Sequence, residues 1–75
     1  MSETIVDARG HRCPVPTLRL ARALETSEPG AKLRLLADDP LARIDVPHFV
    51  AGKDCRLISC DQDGSTLAFV VQKGS

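Results

Sequence analysis

The apolar positions change period several times along the chain, and each change marks an element. Thr4-Ile5-Val6-Asp7 is a short β-branched run stopped at Gly10, which predicts a first strand. From Cys13 to about Glu25 the period becomes helical, with Thr17, Leu20, Ala21 and Leu24 in one stripe and Arg19, Arg22 and Glu25 opposite, before the breaker Glu28-Pro29-Gly30. The stripe is core. Val15 and Leu18 fall nearer the arginine side, as either exposed apolar residues or the rim of a wide core face. Over Ala31 to Ala37 the period is two: Leu33, Leu35 and Ala37 alternate with Lys32, Arg34 and Leu36, a second strand.

The acidic turn Asp38-Asp39-Pro40 then opens a second helical segment. Because proline disrupts a helix interior, Pro47 belongs in a first turn, so a loose turn over Leu41 to Ile44 and a helix from about Val46 to Lys53 are expected, with Asp45 as N-cap. Gly52 falls at its end. Cys55 to Asp61 and Ser65 to Lys73 read as a hairpin turned at Asp63-Gly64, with Leu67, Phe69 and Val71 on one face. By strand parity Cys55 and Cys60 should point to opposite faces, so no bond between them is expected.

The order is therefore βαβαββ. Right-handed crossovers continuing in one direction place both helices on the same face, and the closing hairpin brings the last strand between strands 2 and 3. The expected fold is an α/β two-layer sandwich: a four-stranded mixed sheet in order 1-2-4-3, two helices on one face, and Lys32, Arg34, Arg56 and Gln72 on the open face. Seventy-five residues allow one domain, 1–75.

Composition narrows the function. Trp and Tyr are absent and the formal net charge is zero, which gives neither stacking platforms nor a basic footprint for direct nucleic-acid binding. The charge is uneven, however: Arg9, Arg12, Arg19 and Arg22 lie between Ala8 and Leu24 with no acid among them, while Asp38, Asp39, Asp45, Asp54, Asp61 and Asp63 crowd the second half. A positive rim around Cys13 is one reading and a solvated helix face the other. With no apolar leader and no membrane-spanning run, a cytoplasmic protein is expected. Three cysteines without a C-x-x-C spacing read as reduced thiols.

The chemistry concentrates at Arg12-Cys13-Pro14-Val15-Pro16. Proline suits a helix start, since the amide hydrogen it lacks has no partner there. A thiol just ahead of that start meets unpaired amides, the positive end of the helix dipole and nearby Arg9, His11 and Arg12, all of which favour the thiolate. Two prolines remove two of the donors, so only a moderately lowered pKa is expected. The bland alternative is a buried structural thiol. Cys55 and Cys60 read as small strand side chains, His11 as a loop residue or a polarising neighbour, and Asp38 and Asp39 as turn and cap residues in preference to a carboxylate pair or metal site. His48 has no evident partner. Zinc-type ligand spacing is missing, and neither metal nor cofactor is expected.

Asp7-Ala8-Arg9-Gly10-His11-Arg12-Cys13-Pro14-Val15-Pro16, Glu28-Pro29-Gly30, Ala37-Asp38-Asp39-Pro40, Asp45-Val46-Pro47 and Gln72-Lys73-Gly74 together resemble the TusA/SirA family of small sulfur carriers. The resemblance implies a two-layer βαβαββ sandwich in which Cys13 carries sulfur as a persulfide. It further implies a cysteine desulfurase or rhodanese-type donor and an acceptor protein serving tRNA 2-thiouridine synthesis or dissimilatory sulfur oxidation. Such a protein is a sulfurtransferase-type carrier, not a stand-alone catalyst, and a monomer is its simplest state. Arg9, Arg12, Pro14, Val15, Pro16 and Leu18 are the candidate residues for substrate or partner contact around Cys13. A regulatory or protein-binding module of the same fold is the alternative. A thiol-redox role is disfavoured because Pro16 stands where a resolving cysteine would.

Overall fold

The computed structural model describes residues 3–12 and 15–74, so Cys13 and Pro14 lie outside the described residues. Its elements are β1 (Thr4–Asp7), α1 (Val15–Thr26), β2 (Lys32–Ala37), α2 (Ala42–Ala51), β3 (Cys55–Asp63) and β4 (Thr66–Lys73). The sheet order is β1-β2-β4-β3, with β1 parallel to β2 and the other pairings antiparallel, as the βαβαββ order requires.

Alternation in β2 fixes the register. Leu33, Leu35 and Ala37 stand directly opposite Val71, Phe69 and Leu67 of β4, and all six are buried. A slip of one residue would turn this whole set to the other face. Leu20 and Leu24 of α1 and Ala42, Val46 and Val50 of α2 close over these rows, with Val6, Ala23, Phe49 and Leu57 at the margin. Lys73 Nζ donates to the Ser27 carbonyl at 2.7 Å, which pins the end of β4 beneath the end of α1. Across the open face Lys32, Gln72 and Arg56 form one row, and Arg34 beside them donates to Glu3 Oε1 at 3.0 Å.

Three local expectations are corrected. The second helix begins at Ala42, a full turn earlier than proline placement suggested, and Asp45 lies inside its first turn. Asp39 starts it: its carboxylate accepts the Leu41 amide at 3.0 Å and its carbonyl accepts the Ala42 amide at 2.9 Å. The next amides bond three residues back, Arg43 to Pro40 and Ile44 to Leu41, before Asp45 reaches Leu41 at 2.9 Å. Pro47 sits in the interior. There it removes one bond to the carbonyl four residues back, but Ala42, Val46 and Val50 are buried at a spacing of one helical turn, and only a helix begun at Ala42 aligns them. Arg43 also donates to the Gln62 side chain, tying this first turn to β3.

The hairpin turns one residue later than expected. Asp63 pairs with Thr66, leaving Gly64-Ser65 as a two-residue loop. Gly64 has φ +64° and among the described residues no non-glycine has positive φ, the pattern of a type II′ turn with glycine first.

The third correction concerns the cysteines. Leu57 pairs with Val71 but Ser59 pairs with Val70, so Ile58 is an extra residue in β3. Such a bulge reverses strand parity beyond it. Cys55 stands opposite Lys73 and Cys60 opposite Phe69, which places both on the helix-bearing face. Both thiols are free, Cys55 half-buried with its Sγ 3.9 Å from the Val50 carbonyl and Cys60 exposed.

Phe69 is the largest fully buried side chain described, at the centre of these rows. Phe69→Ala should destabilise the fold by about 3–5 kcal/mol, a large part of the ~5–15 kcal/mol typical of a native domain. A urea titration followed by circular dichroism measures the loss, and a midpoint like that of wild type would refute this account of the core.

Candidate functional site

The loop that precedes Cys13 is held at the carboxyl ends of β1 and β2. Ala8 is fully buried and extends the ladder by one bond, its amide donating to Leu36 at 2.8 Å. The chain then reverses over Ala8-Arg9-Gly10-His11, with the His11 amide reaching the Ala8 carbonyl at 3.3 Å and Gly10 at φ +84°. Positive φ at the third position is the mark of a type II turn and favours glycine there. Carboxylates take both central amides: Arg9 N–H donates to Asp7 Oδ1 at 3.1 Å, and Gly10 N–H to Asp38 Oδ1 and Oδ2 at 2.9 and 3.0 Å.

Beyond the undescribed pair, the Val15 amide donates to the Arg12 carbonyl at 2.9 Å and α1 begins. Its first turn holds no acidic residue, and Pro16 is fully buried. Gly10, His11 and Arg12 line a hollow of about 460 Å³ with Asp38, Asp39, Pro40 and Leu41. The hollow therefore lies between the loop after β1 and the start of α2.

The arginines divide by role. Arg9 grips Asp7 with two parallel bonds, Nε to Oδ1 and Nη2 to Oδ2, both 2.9 Å. Its side-chain and backbone hydrogen bonds lower the Asp7 pKa from 3.8 to about 2. Arg9 is thus committed to a carboxylate, whereas Arg12 is exposed beside the hollow. Arg19 lies exposed with Nη1 at 3.5 Å from the Asp7 carbonyl, and Arg22 is exposed as well. Val15 is half-buried and Leu18 is 62% exposed, so of the two readings of this helix face Leu18 takes the exposed one. His11 is half-buried.

Two features were not apparent in the sequence. Leu41 and Ile44, 54% and 68% exposed, add apolar surface at the start of α2. Asp38 reaches across 28 positions to the Gly10 amide, while its neighbour Asp39 starts α2. The available signal was a doubled aspartate beside a glycine turn, which indicates capping but not which amide each carboxylate meets. Among the described residues no group of His, Cys, Asp or Glu is arranged to hold a metal ion, and no helix is long and apolar enough to cross a membrane.

Residues 4–73 match the family model described as sulfurtransferase TusA. The chain belongs to the TusA family. Members of this family are sulfur carriers of the sulfurtransferase type that relay sulfur through contacts with other proteins. The fold is similar to that of a SirA-like protein from Desulfitobacterium hafniense, with a TM-score of 0.73 and 24% identity over 96% of this chain and 99% of that one.

The Asp7–Arg9 pair gives an acid-dependence with a definite sign. Because the folded-state pKa of Asp7 is depressed, its contribution to stability is present above 3.8 and disappears as pH falls toward about 2. Asp7→Asn should therefore lower the melting temperature near neutrality, and the two proteins should converge at the acid end. Both groups are exposed, so the difference should be small and shrink in high salt. Melting curves across the acid range test this, and equal melting temperatures at neutral pH and low salt would contradict it.

Proposed function

We propose that Cys13 accepts sulfane sulfur as a persulfide and passes it to a cysteine of an acceptor protein. The observation that carries this reading is the TusA-family match over residues 4–73, which spans the Cys-Pro-x-Pro motif whose last two residues, Val15 and Pro16, open α1. The transfer is two displacements. In the first, the Cys13 thiol loses its proton to solvent and its sulfur attacks the outer sulfur of a donor persulfide; a new S–S bond forms, the donor's S–S bond breaks, and the donor cysteine leaves as thiolate. In the second, an acceptor thiolate attacks the outer sulfur now on Cys13, and Cys13 leaves as thiolate. No net oxidant is consumed.

The surroundings suit both displacements. A helix start with no acid in its first turn favours an anionic sulfur ahead of it, and the exposed Arg12 acts in the same direction. Pro16 occupies the third position after Cys13, which leaves no resolving thiol to discharge the persulfide as an internal disulfide. Cys55 is a poorer nucleophile, because burial, and then the charge of Asp54, raise its pKa.

A cysteine desulfurase or rhodanese-type enzyme supplies the sulfur, and the docking surface is Arg12, Pro14, Val15 and Leu18. Arg9 contributes chiefly by its grip on Asp7, and Pro16 by fixing the start of α1. The acceptor belongs to tRNA 2-thiouridine synthesis or to dissimilatory sulfur oxidation, and the carrier works as a cytoplasmic monomer.

Intact mass spectrometry after incubation with a cysteine desulfurase and cysteine should show wild type gaining one sulfur atom, reversibly with dithiothreitol, and Cys13→Ser gaining none. Loading of the serine variant would refute the assignment. Failure of wild type to load from either a desulfurase or a rhodanese would favour a binding module without transfer chemistry.

A further inference from the structure

We propose that Asp38 is a positioning residue for sulfur transfer, acting through the Gly10 amide to hold the loop that leads from β1 to Cys13. The proposal rests on the reading of Cys13 given above. In a type II turn the bond closing the turn is made by the fourth residue, and the amide of the third is left without a partner inside it. Here that closing bond is long, 3.3 Å, whereas the outward amide of Gly10 meets both carboxylate oxygens of Asp38 at 2.9 and 3.0 Å. A bond from an amide to an ionised carboxylate is the stronger kind.

The anchor end of this bond is rigid. Asp38 directly follows Ala37, which is fully buried and paired with Leu67 in the sheet centre. Its acceptor capacity is directed to backbone: among the described residues Asp38 forms no salt bridge, and the nearby Arg9 guanidinium is gripped by Asp7. Gly10 lies three residues before Cys13, so releasing it frees the approach to the thiol. A thiolate displacement at sulfur requires close alignment of the attacking and leaving atoms, and a misplacement of about 1 Å can slow such a reaction ~100-fold.

Comparison of Asp38→Ala with Asp38→Asn tests this, because asparagine removes the charge but keeps an oxygen in place to accept the Gly10 amide. Asp38→Ala should lower kcat/KM for sulfur transfer by about tenfold or more, and Asp38→Asn should restore most of it. Equal losses in both variants would assign the effect to charge and overturn the latch. A lowered melting temperature with undiminished transfer would overturn it too. Hydrogen exchange at the Gly10 amide provides a readout that needs no sulfur donor. It should be slow in wild type, fast in Asp38→Ala and intermediate in Asp38→Asn. A fast-exchanging Gly10 amide in wild type refutes the proposal even if the alanine variant does not fold. If wild type accepts no sulfur, the persulfide reading fails while Gly10 exchange and the rate of Cys13 alkylation still decide the latch.

Discussion

The candidate site depends on where β2 ends. Three apolar pairs, Leu33 with Val71, Leu35 with Phe69 and Ala37 with Leu67, lock β2 to β4 along the core side of the sheet. Because Ala37 is the last of them, the two residues that follow leave the core from a fixed point and in a fixed direction. Asp38 then meets the loop from β1, and Asp39 starts α2. The loop after β1 and the start of α2 are thus referenced to one strand end, in a molecule too small to hold them by bulk alone.

The arrangement separates duties that the sequence seemed to combine. Among the arginines near Cys13, Arg9 stabilises local backbone through Asp7, while Arg12, Arg19 and Arg22 face solvent. The uncommitted positive charge of this stretch therefore lies beyond Gly10. Exposed Leu18, Leu41 and Ile44 at the starts of the two helices give the molecule apolar surface outside its core.

Much of this was legible before the structure. Strict alternation in β2, the helical stripe of α1 and the βαβαββ order were enough to reach the sheet order, because right-handed crossovers leave few alternatives. The errors came where a tertiary demand overrode a local rule. Pro47 argued for a late helix start, but burial of Ala42, Val46 and Val50 outweighs one missing hydrogen bond. The extra residue at Ile58 is invisible to parity counting, since nothing in Cys55-Arg56-Leu57-Ile58-Ser59-Cys60 marks where a bulge falls. Asp38 looked like a local turn residue, but its target lies in another loop, which local sequence cannot specify.

The bulge has a bearing on how the molecule meets others. β3, with nine residues, is the longest strand and lies at an edge, where unpaired backbone groups invite a strand from another molecule. The irregularity at Ile58 interrupts that row of donors and acceptors, and charged Arg56, Asp61 and Asp63 flank the break. The opposite edge, β1, offers only four residues. The molecule is in this way guarded at its sides against polymerising strand by strand.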